Sequence, residues 1–353
     1  MDNLRTGLSY NDVLLVPQRS PVDSRSNINL QTHLTDEIPL DRPLLSAPMD
    51  TVTEAETAIA LANAGGMGTI HRFMTIDEQR NQIKNVKEQG KRAGVAIGIN
   101  EDFLDRTEAT LEAGADYIMV DVAHGHLEKC LDAVDRIRAE FPDVELIVGN
   151  IATKQAVADL YDAGADCVKV GIGPGSHCTT RKVAGAGMPQ LTAVNDCAEI
   201  AHDLGIQVIA DGGIRSSGDA VKALMAGADT VMMGSLFAGT DEAPGRIIER
   251  NGEKYKRSRG MATTAANEDR TDKEQVDEDT ADEGVEALTP YKGSIESVAD
   301  QFAAGIRSGI SYCGGHTIHE AREKAEFIRV AHSAKEREGA HLDHDWESVS
   351  IDN

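Results

Sequence analysis

The chain has 353 residues, 41% of them hydrophobic, and a formal net charge of −24 that arises from 59 acidic and 35 basic residues. This acid excess disfavours nucleic acid as a partner, because a phosphate backbone would be repelled, and no apolar run approaches the roughly 20 residues of a membrane span. The N-terminal residues lack the basic-then-apolar layout of a secretory signal, so the sequence predicts a soluble cytoplasmic protein. A diffuse acidic surface also suggests adaptation to high salt, which screens self-repulsion.

Eight short apolar runs follow one another along the chain, each too short for a helix and suited to a strand buried on both faces. Amphipathic segments such as 127–140 separate them, and Ala-Gly helix stops precede several of them. This alternation predicts an α/β fold, a (β/α)8 TIM barrel forming one catalytic domain over 1–353. A doubly wound open sheet is the alternative, but no G-x-G-x-x-G turn follows the first strand. The runs are LLSAP (44–48), MGTIH (67–71), GVAIGI (94–99), YIMVDV (117–122), ELIVGN (145–150), CVKVG (167–171), QVIADG (207–212) and TVMMG (230–234).

A long polar segment after the eighth strand, about 251–292, is predicted to be a flap over the active site. Active sites of such barrels lie at the C-terminal ends of the strands, and long loops on that face usually serve function. Residues 265–284 are acid-rich without apolar periodicity, so we expect them to be mobile. The polar tail, about 333–353, is expected to be frayed. A solvated surface loop is the alternative for the flap.

Cys178 is the cysteine whose surroundings indicate chemistry. The five cysteines are an odd number without a C-x-x-C pair, which argues against a disulfide framework or a zinc site. Cys130 and Cys197 fall in helical patterns and Cys167 begins a strand, so we expect them to be buried. Cys178 follows the glycine-rich GIGPGS at the end of a strand, where loop amides and the first turn of a following helix would stabilise a thiolate nucleophile. Thr180 could relay a proton but needs a carboxylate partner, for which Glu283 in the flap is one candidate.

Other strand ends carry groups suited to a nucleotide. Gly212-Gly213 and Gly234-Ser235 resemble the phosphate cradle that barrels build after strands seven and eight, and simple turn chemistry is the alternative. Asp211 could accept hydrogen bonds from ribose hydroxyls, or could cap a helix. The backbone carbonyls of Gly173, Gly175 and Cys178 could bind a monovalent cation, since hard ions take oxygen ligands.

Several motifs together resemble the inosine monophosphate dehydrogenase and guanosine monophosphate reductase family, over nearly the whole chain. The resemblance implies that Cys178 attacks C2 of the purine of a nucleotide monophosphate, and that hydride then moves between this carbon and a nicotinamide cofactor. It also implies a homotetramer and a potassium site at Gly173, Gly175 and Cys178. The motifs are SAPMDTVTE (46–54), DVAHGH (121–126), GIGPGSHCTTR (171–181), GMPQLTAV (187–194), ADGGIRSSGD (210–219), GSLFAGTDEAPG (234–245) and YKG (291–293).

The same resemblance assigns residues to each ligand. The substrate nucleotide would be held by Ser46, Met49, Ser176, Asp211, Gly212, Gly213, Gly234, Ser235, Arg259, Gly260 and Met261. The cofactor would be held by Asp121, Ala123, Asn150, Gly171 and Arg181. Cys178, Thr180 and Glu283 would be catalytic.

The direction of the reaction divides the family into two branches. A dehydrogenase oxidises IMP with NAD and hydrolyses a covalent intermediate with the help of an Arg-Tyr pair in its flap, whereas this flap has Arg270-Thr271. A reductase uses a Thr–Glu pair, as Thr180 and Glu283 could provide, to expel ammonia from GMP before hydride arrives from NADPH. The sequence lacks the regulatory domain pair inserted in most dehydrogenases, and HRF (71–73), DVAHGH and ISYCGG (310–315) look closer to some reductases.

Two features do not favour the reductase branch: SAPMDTVTE looks closer to dehydrogenases, and His177 follows the usual pattern of neither branch. The favoured reading is an NADPH-dependent GMP reductase, with a NAD-dependent IMP dehydrogenase as the alternative. A non-catalytic nucleotide-binding regulator is less favoured, because binding alone needs no thiol at position 178.

Overall fold

The computed structural model describes residues 4–272 and 281–331, in which eight parallel strands close into a barrel. Each strand pairs with the next along the chain, and the last pairs with the first through Val231 and Leu44. The predicted TIM barrel is therefore confirmed, with all eight strands near their expected positions. The strands are β1 (Leu44–Ser46), β2 (Met67–Ile70), β3 (Ala93–Ile97), β4 (Ile118–Asp121), β5 (Leu146–Ile151), β6 (Cys167–Val170), β7 (Gln207–Asp211) and β8 (Thr230–Met233).

Amphipathic helices surround the barrel and bury their apolar faces against it. The recurring Ala-Gly stops act as expected: Gly114, Gly164 and Gly227 take positive φ angles of 97°, 103° and 118° as helices end. The surrounding helices are α1 (Ala55–Asn63), α2 (Ile76–Glu88), α3 (Phe103–Glu112), α4 (Glu128–Glu140), α5 (Lys154–Asp162), α6 (Gln190–Leu204), α7 (Ser217–Met225) and α8 (Ile295–Cys313). Within the described ranges, no helix combines the length and apolarity that crossing a bilayer requires.

A hairpin that the sequence analysis did not predict closes the N-terminal end of the barrel. Its strands, Thr32–Thr35 and Ile38–Leu40, are antiparallel. The Thr32 hydroxyl donates to the carbonyl of Asp229, just before β8. Leu34, Ile38 and Leu40 complete the apolar barrel interior, packing in one cluster with residues such as Met67, Tyr117, Ile147, Cys167 and Met232. The barrel is thus a filled core whose ligand-accessible end is the opposite one.

The flap carries regular structure that its polar sequence did not reveal. Ile247–Arg250, Glu253–Arg259 and Glu286–Pro290 form a three-stranded antiparallel sheet, and Thr264–Asp269 form a short helix. The expectation that 265–284 is mobile stays a prediction, and the described part of this segment includes most of that helix and Gly284, which pairs with Cys178. Residues 273–280 and the predicted tail, 333–353, lie outside the described residues.

The two ends of the described chain meet beside the barrel. Val13–Leu15 pairs antiparallel with Phe327–Arg329, and the amide of Val330 donates to the carbonyl of Asp12 at 2.9 Å. This ribbon holds the preceding N-terminal segment, which includes Tyr10, against the ligand-accessible end of the barrel.

Candidate active site

A cavity of about 790 Å³ opens at the C-terminal ends of the barrel strands. It is lined by strand ends, by the loop that carries Cys178 and by the flap. Cys178 is partly exposed there, whereas the other four cysteines are buried. Most residues singled out in the sequence line this cavity: Met49, Asp121, Ala123, Asn150, Gly171, Gly173, Gly175, Ser176, Cys178, Thr180, Arg181, Asp211, Gly212, Gly213, Gly234, Ser235, Gly260, Met261 and Glu283.

Cys178, Thr180 and Glu283 form a continuous hydrogen-bonded chain. The Cys178 Sγ lies 3.2 Å from the Thr180 Oγ1, and either atom can donate. The Thr180 hydroxyl donates to the Glu283 Oε2 at 2.5 Å. A proton can therefore pass between sulfur and carboxylate through one hydroxyl, the arrangement needed for an activated nucleophile.

Backbone pairing brings Glu283 to this position from the distant flap. The amide of Thr179 donates to the carbonyl of Glu283 at 2.8 Å, and the amide of Val285 donates to the carbonyl of His177 at 2.9 Å. The amide of Glu283 in turn donates to the carbonyl of Ala262 at 3.0 Å. The carboxylate is thus positioned by main-chain bonds on both sides, which a sequence alone does not reveal.

Close approaches require glycine at two positions of the Cys178 loop, Gly171 and Gly173. A Cβ on Gly171 would lie 2.0 Å from the carbonyl oxygen of Asp211. Gly173 has φ +82°, and a Cβ there would lie 2.6 Å from the Arg181 Cγ. Gly175 accepts the turn hydrogen bond from the Cys178 amide at 3.1 Å. These contacts fold the loop back over the end of β7 and place the thiol at the cavity.

His177 lines the cavity and also anchors the loop to the flap. Its Nε2 lies 2.8 Å from the Ser258 Oγ and its Nδ1 lies 3.2 Å from the Ser176 Oγ. Ser258 also bonds to Thr289 on the neighbouring flap strand at 2.6 Å. Burial lowers the pKa of His177.

Lys169, which the sequence analysis took as part of an apolar run, lies at the floor of the cavity. It is 2% exposed and its ammonium lies 2.8 Å from carboxylate oxygens of both Asp121 and Asp211. Burial lowers its pKa, but the two carboxylates more than offset this and raise the pKa of Lys169 above its ordinary value. The lysine therefore stays charged, and a charged residue inside a buried strand is the signal that could have identified it.

Two residues expected to contact the substrate, Ser46 and Arg259, are not among those that line the cavity, and their contact with the substrate stays a prediction. Ser46 is fully buried, and its hydroxyl accepts a hydrogen bond from Thr53 at 2.9 Å. The guanidinium of Arg259 is bound to Asp50 and to Asp269, so it ties the flap to the loop after β1. Both residues support the wall of the site.

Two further residues, Tyr10 and Gln190, line the cavity without having been predicted from the sequence. Tyr10, from the N-terminal segment, lines the cavity and lies beside Gly213, where a Cβ would be 3.4 Å from its ring. The side-chain amide of Gln190, at the start of α6, donates to the carbonyls of Val170 and Asp211 at 2.7 and 3.0 Å. Gln190 lies within GMPQLTAV (187–194), which served only to support the resemblance, and Tyr10 lies in none of the quoted motifs, so neither residue was assigned a role.

The cavity continues towards β3 and β4 over a surface that suits a dinucleotide. Arg72 and Arg270 stack on the ring of Phe73, with their Cζ atoms 5.2 and 4.3 Å from its centroid. Asn100 and Asn267 line the same region beside apolar Val122 and Ala123. Guanidinium and amide donors are the groups that phosphates prefer, and apolar surface suits a flat heterocycle. The residues present therefore fit a nicotinamide dinucleotide.

The predicted cation site would use backbone carbonyls and not side chains as ligands. Among residues 4–272 and 281–331, no group of three or more His, Cys, Asp or Glu side chains is arranged to hold a metal ion. The carbonyls of Gly173, Gly175 and Cys178 are hard ligands of the type that a monovalent ion takes. The potassium site stays a prediction.

The fold and this cavity define a class: a TIM barrel whose ligand-accessible cavity holds a hydrogen-bonded chain of Cys178, Thr180 and Glu283. The family model described as "IMP dehydrogenase / GMP reductase domain" matches residues 7–341, and the chain belongs to this family. Its members are oxidoreductases that act on purine nucleotide monophosphates with a nicotinamide cofactor, and so is this enzyme.

Relatives of both branches resemble the chain closely. It is 38% identical to an inosine-5'-monophosphate dehydrogenase of Nitrosopumilus maritimus, over 93% of this chain and 96% of the relative. It is 34% identical to a GMP reductase of Leishmania major, over 97% and 98%. A crystal structure of a Trypanosoma brucei GMP reductase variant in complex with guanosine 5'-monophosphate superposes with a TM-score of 0.92, at 31% identity, over 97% of this chain and 99% of that one. Sequence identity therefore leaves the branch open.

Proposed function

We propose that the enzyme is a GMP reductase, which converts GMP, NADPH and two protons into IMP, ammonium and NADP⁺. The observation that carries this proposal is the Cys178–Thr180–Glu283 chain, with contacts of 3.2 and 2.5 Å. A reductase must deliver a proton to a departing amine, and a carboxylate that receives the thiol proton through Thr180 can return it to that amine.

The residues support a two-stage mechanism. The Cys178 thiol gives its proton to the relay while sulfur bonds to C2 of the purine, and the relay then protonates the 2-amino group so that ammonia leaves. A nicotinamide cofactor held against Asn100, Val122 and Ala123 would supply the hydride that C2 takes up. The C2–S bond then breaks and the sulfur returns as thiolate. Met49, Gly234 and Met261 line the purine side of the cavity, and the loops after β7 and β8 are proposed to hold the phosphate.

The flap supports the reductase over the dehydrogenase alternative. A dehydrogenase must activate water at the covalent intermediate. Here Arg270, the group best suited to that task, is held by both oxygens of Asp272 at 2.7 and 2.6 Å. The hydroxyl of Thr271, which stands where a tyrosine would be needed, donates to Glu78 at 2.5 Å. Thr271 thus docks the flap on α2, and Arg270 is engaged within the flap.

The proposed function also includes an oligomeric state, a cellular compartment and a bound cation. We propose a cytoplasmic homotetramer that binds potassium at the Gly173–Cys178 loop. Apolar side chains exposed on one ribbon, Leu14 and Ile328, are paired in register and are 43% and 56% exposed. Such a patch suits contact with another subunit, and mass photometry at working concentration tests the tetramer.

Turnover in both directions tests the proposed reaction. With GMP and NADPH we expect the absorbance of the reduced cofactor to fall and IMP and ammonium to form in equal amounts. With IMP and NAD⁺ we expect no gain of absorbance and no XMP. The converse pair of results would assign the dehydrogenase, and inactivity with both pairs at measurable nucleotide binding would assign the regulator.

A further inference from the structure

Lys169 stands where four neighbouring strands end, and it touches one polar side chain on each of the other three. From β6 its ammonium reaches the Asp121 Oδ1 on β4 and the Asp211 Oδ2 on β7, each at 2.8 Å. It also donates to the Oδ1 of Asn150 on β5. All three partners line the cavity. The proposed reaction gives this lysine no chemical step.

The lysine determines which oxygen of each carboxylate is free for a ligand. The Asp211 Oδ2 accepts from both Lys169 and the Asn150 amide, the latter at 2.8 Å. Within the described part of the chain, no protein group donates to the Asp211 Oδ1 or to the Asp121 Oδ2. Each carboxylate therefore has one oxygen fixed by the ammonium and one that a ligand hydroxyl or amide can use.

Charge makes this arrangement dependent on the lysine. Without the ammonium, two carboxylates that are 21% and 23% exposed would face each other across the cavity floor. Like charges at such short range repel, and partly buried carboxylates without a partner are poorly solvated. Rotation of either side chain away from the other would withdraw its free oxygen from the ligand.

We propose that Lys169 is a positioning residue that holds Asp211 for the nucleotide and Asp121 for the nicotinamide cofactor at the same time. The proposal rests on the assignment of these two carboxylates within the proposed function. It predicts that one substitution, distant from the thiol, weakens both ligands together. A lysine with a merely structural role would lower the amount of folded enzyme without changing the affinity of the folded fraction.

The test compares Lys169→Met with Lys169→Arg. The control is Lys182→Met, which removes an exposed lysine just after the Cys178 loop. Calorimetry measures the Kd of GMP and of the cofactor for the free enzyme, and initial rates give KM and kcat. We expect Lys169→Met to raise both Kd values about tenfold to a hundredfold, as the loss of a charge-assisted hydrogen bond does. Lys169→Arg should recover most of both affinities, and Lys182→Met should match the wild type. Unchanged affinities, or a loss confined to one ligand, would overturn the proposal.

A second comparison covers the case in which Lys169→Met does not fold. In the Asp121→Asn background one of the two repelling charges is absent, so adding Lys169→Met is better tolerated. The double variant should then bind GMP more weakly than Asp121→Asn alone, and equal affinity would contradict the proposal. The Kd measurements do not depend on turnover. If the wild type proves to oxidise IMP, the same experiment is run with IMP and NAD⁺, and failure of the reaction assignment is seen separately in the wild-type assay.

Discussion

Glu283 can be tested at the scale of the single residue, because its carboxylate serves the proton relay while its backbone fixes its position. Replacing the carboxylate by an amide keeps the shape and the Thr179–Glu283 main-chain bond of 2.8 Å. We expect Glu283→Gln to bind GMP normally and to lower kcat for deamination about 10²- to 10⁴-fold. Glu249→Gln, on an exposed flap strand, is the control. Full activity of Glu283→Gln would remove the relay from the mechanism.

Cys178 permits a sharper separation of binding from chemistry. Cys178→Ala removes the atom that bonds to C2, so we expect no measurable turnover with either substrate pair. Nucleotide affinity should stay within a few-fold of the wild type, because the phosphate and ribose contacts lie elsewhere. Stopped assays over hours, with calorimetry alongside, check both halves. Turnover of Cys178→Ala at the wild-type rate would mean that another group forms the adduct.

His177 gives the loop a dependence on pH. Burial lowers its pKa in the folded state, whereas the unfolded chain takes up the proton near the ordinary value of about 6.5. Unfolding is therefore favoured as pH falls below about 6.5, and the loss of stability ends once pH is below the folded pKa. Urea unfolding at pH 7.5 and 5.5 should show a smaller pH difference for His177→Gln than for the wild type. At pH 7.5 this variant should cost about 1 kcal/mol through its weakened bonds to Ser176 and Ser258.

The flap is the element whose attachment is easiest to test. Lys256, on the strand Glu253–Arg259, is 2% exposed and donates to the carbonyls of Thr240, Asp241 and Ala243 at 2.9, 3.2 and 2.5 Å. Lys256→Met would leave three carbonyls without their donor. We expect it to cost about 2–4 kcal/mol of folding free energy and to speed proteolysis in the flap. Lys254→Met, an exposed position on the same strand, should cost under about 1 kcal/mol, and equal effects would mean that the carbonyl contacts are unimportant.

Among the elements of the fold, the barrel strands and helices were predictable from the sequence, whereas the flap sheet and the hairpin were not. Strand runs such as 230–234 are apolar and local, and the Ala-Gly stops mark the helices that precede them, so pattern and turn chemistry agree. The hairpin at Thr32–Thr35 and the flap sheet depend on pairing between short, mixed sequences that show no such period. Lys169 was missed for a related reason, since its partners lie on other strands. The burial of Ser46 at an otherwise typical strand end was also not predictable, since it depends on packing that the local sequence does not show.

At the scale of the whole molecule, the net charge of −24 should make the protein respond to salt. Self-repulsion of an acidic surface is screened over about 10 Å at 0.1 M salt and about 3 Å at 1 M. We therefore expect Tm to rise by several degrees between these concentrations, measured by thermal unfolding in KCl and in NaCl. The two salts should stabilise alike, whereas activity should be higher in KCl if the carbonyl site binds potassium. A Tm that is independent of salt would contradict the proposed adaptation.

The pairing of Val13–Leu15 with Phe327–Arg329 affects the order in which the enzyme folds during its synthesis. Tyr10, three residues before this ribbon, forms part of the cavity wall. Contacts such as that of the Lys222 ammonium with the carbonyl of Tyr10, at 3.0 Å, can form earlier, but Val13–Leu15 stays unpaired until Phe327–Arg329 has been synthesised. Nucleotides should therefore stabilise this wall most strongly in the last steps of folding.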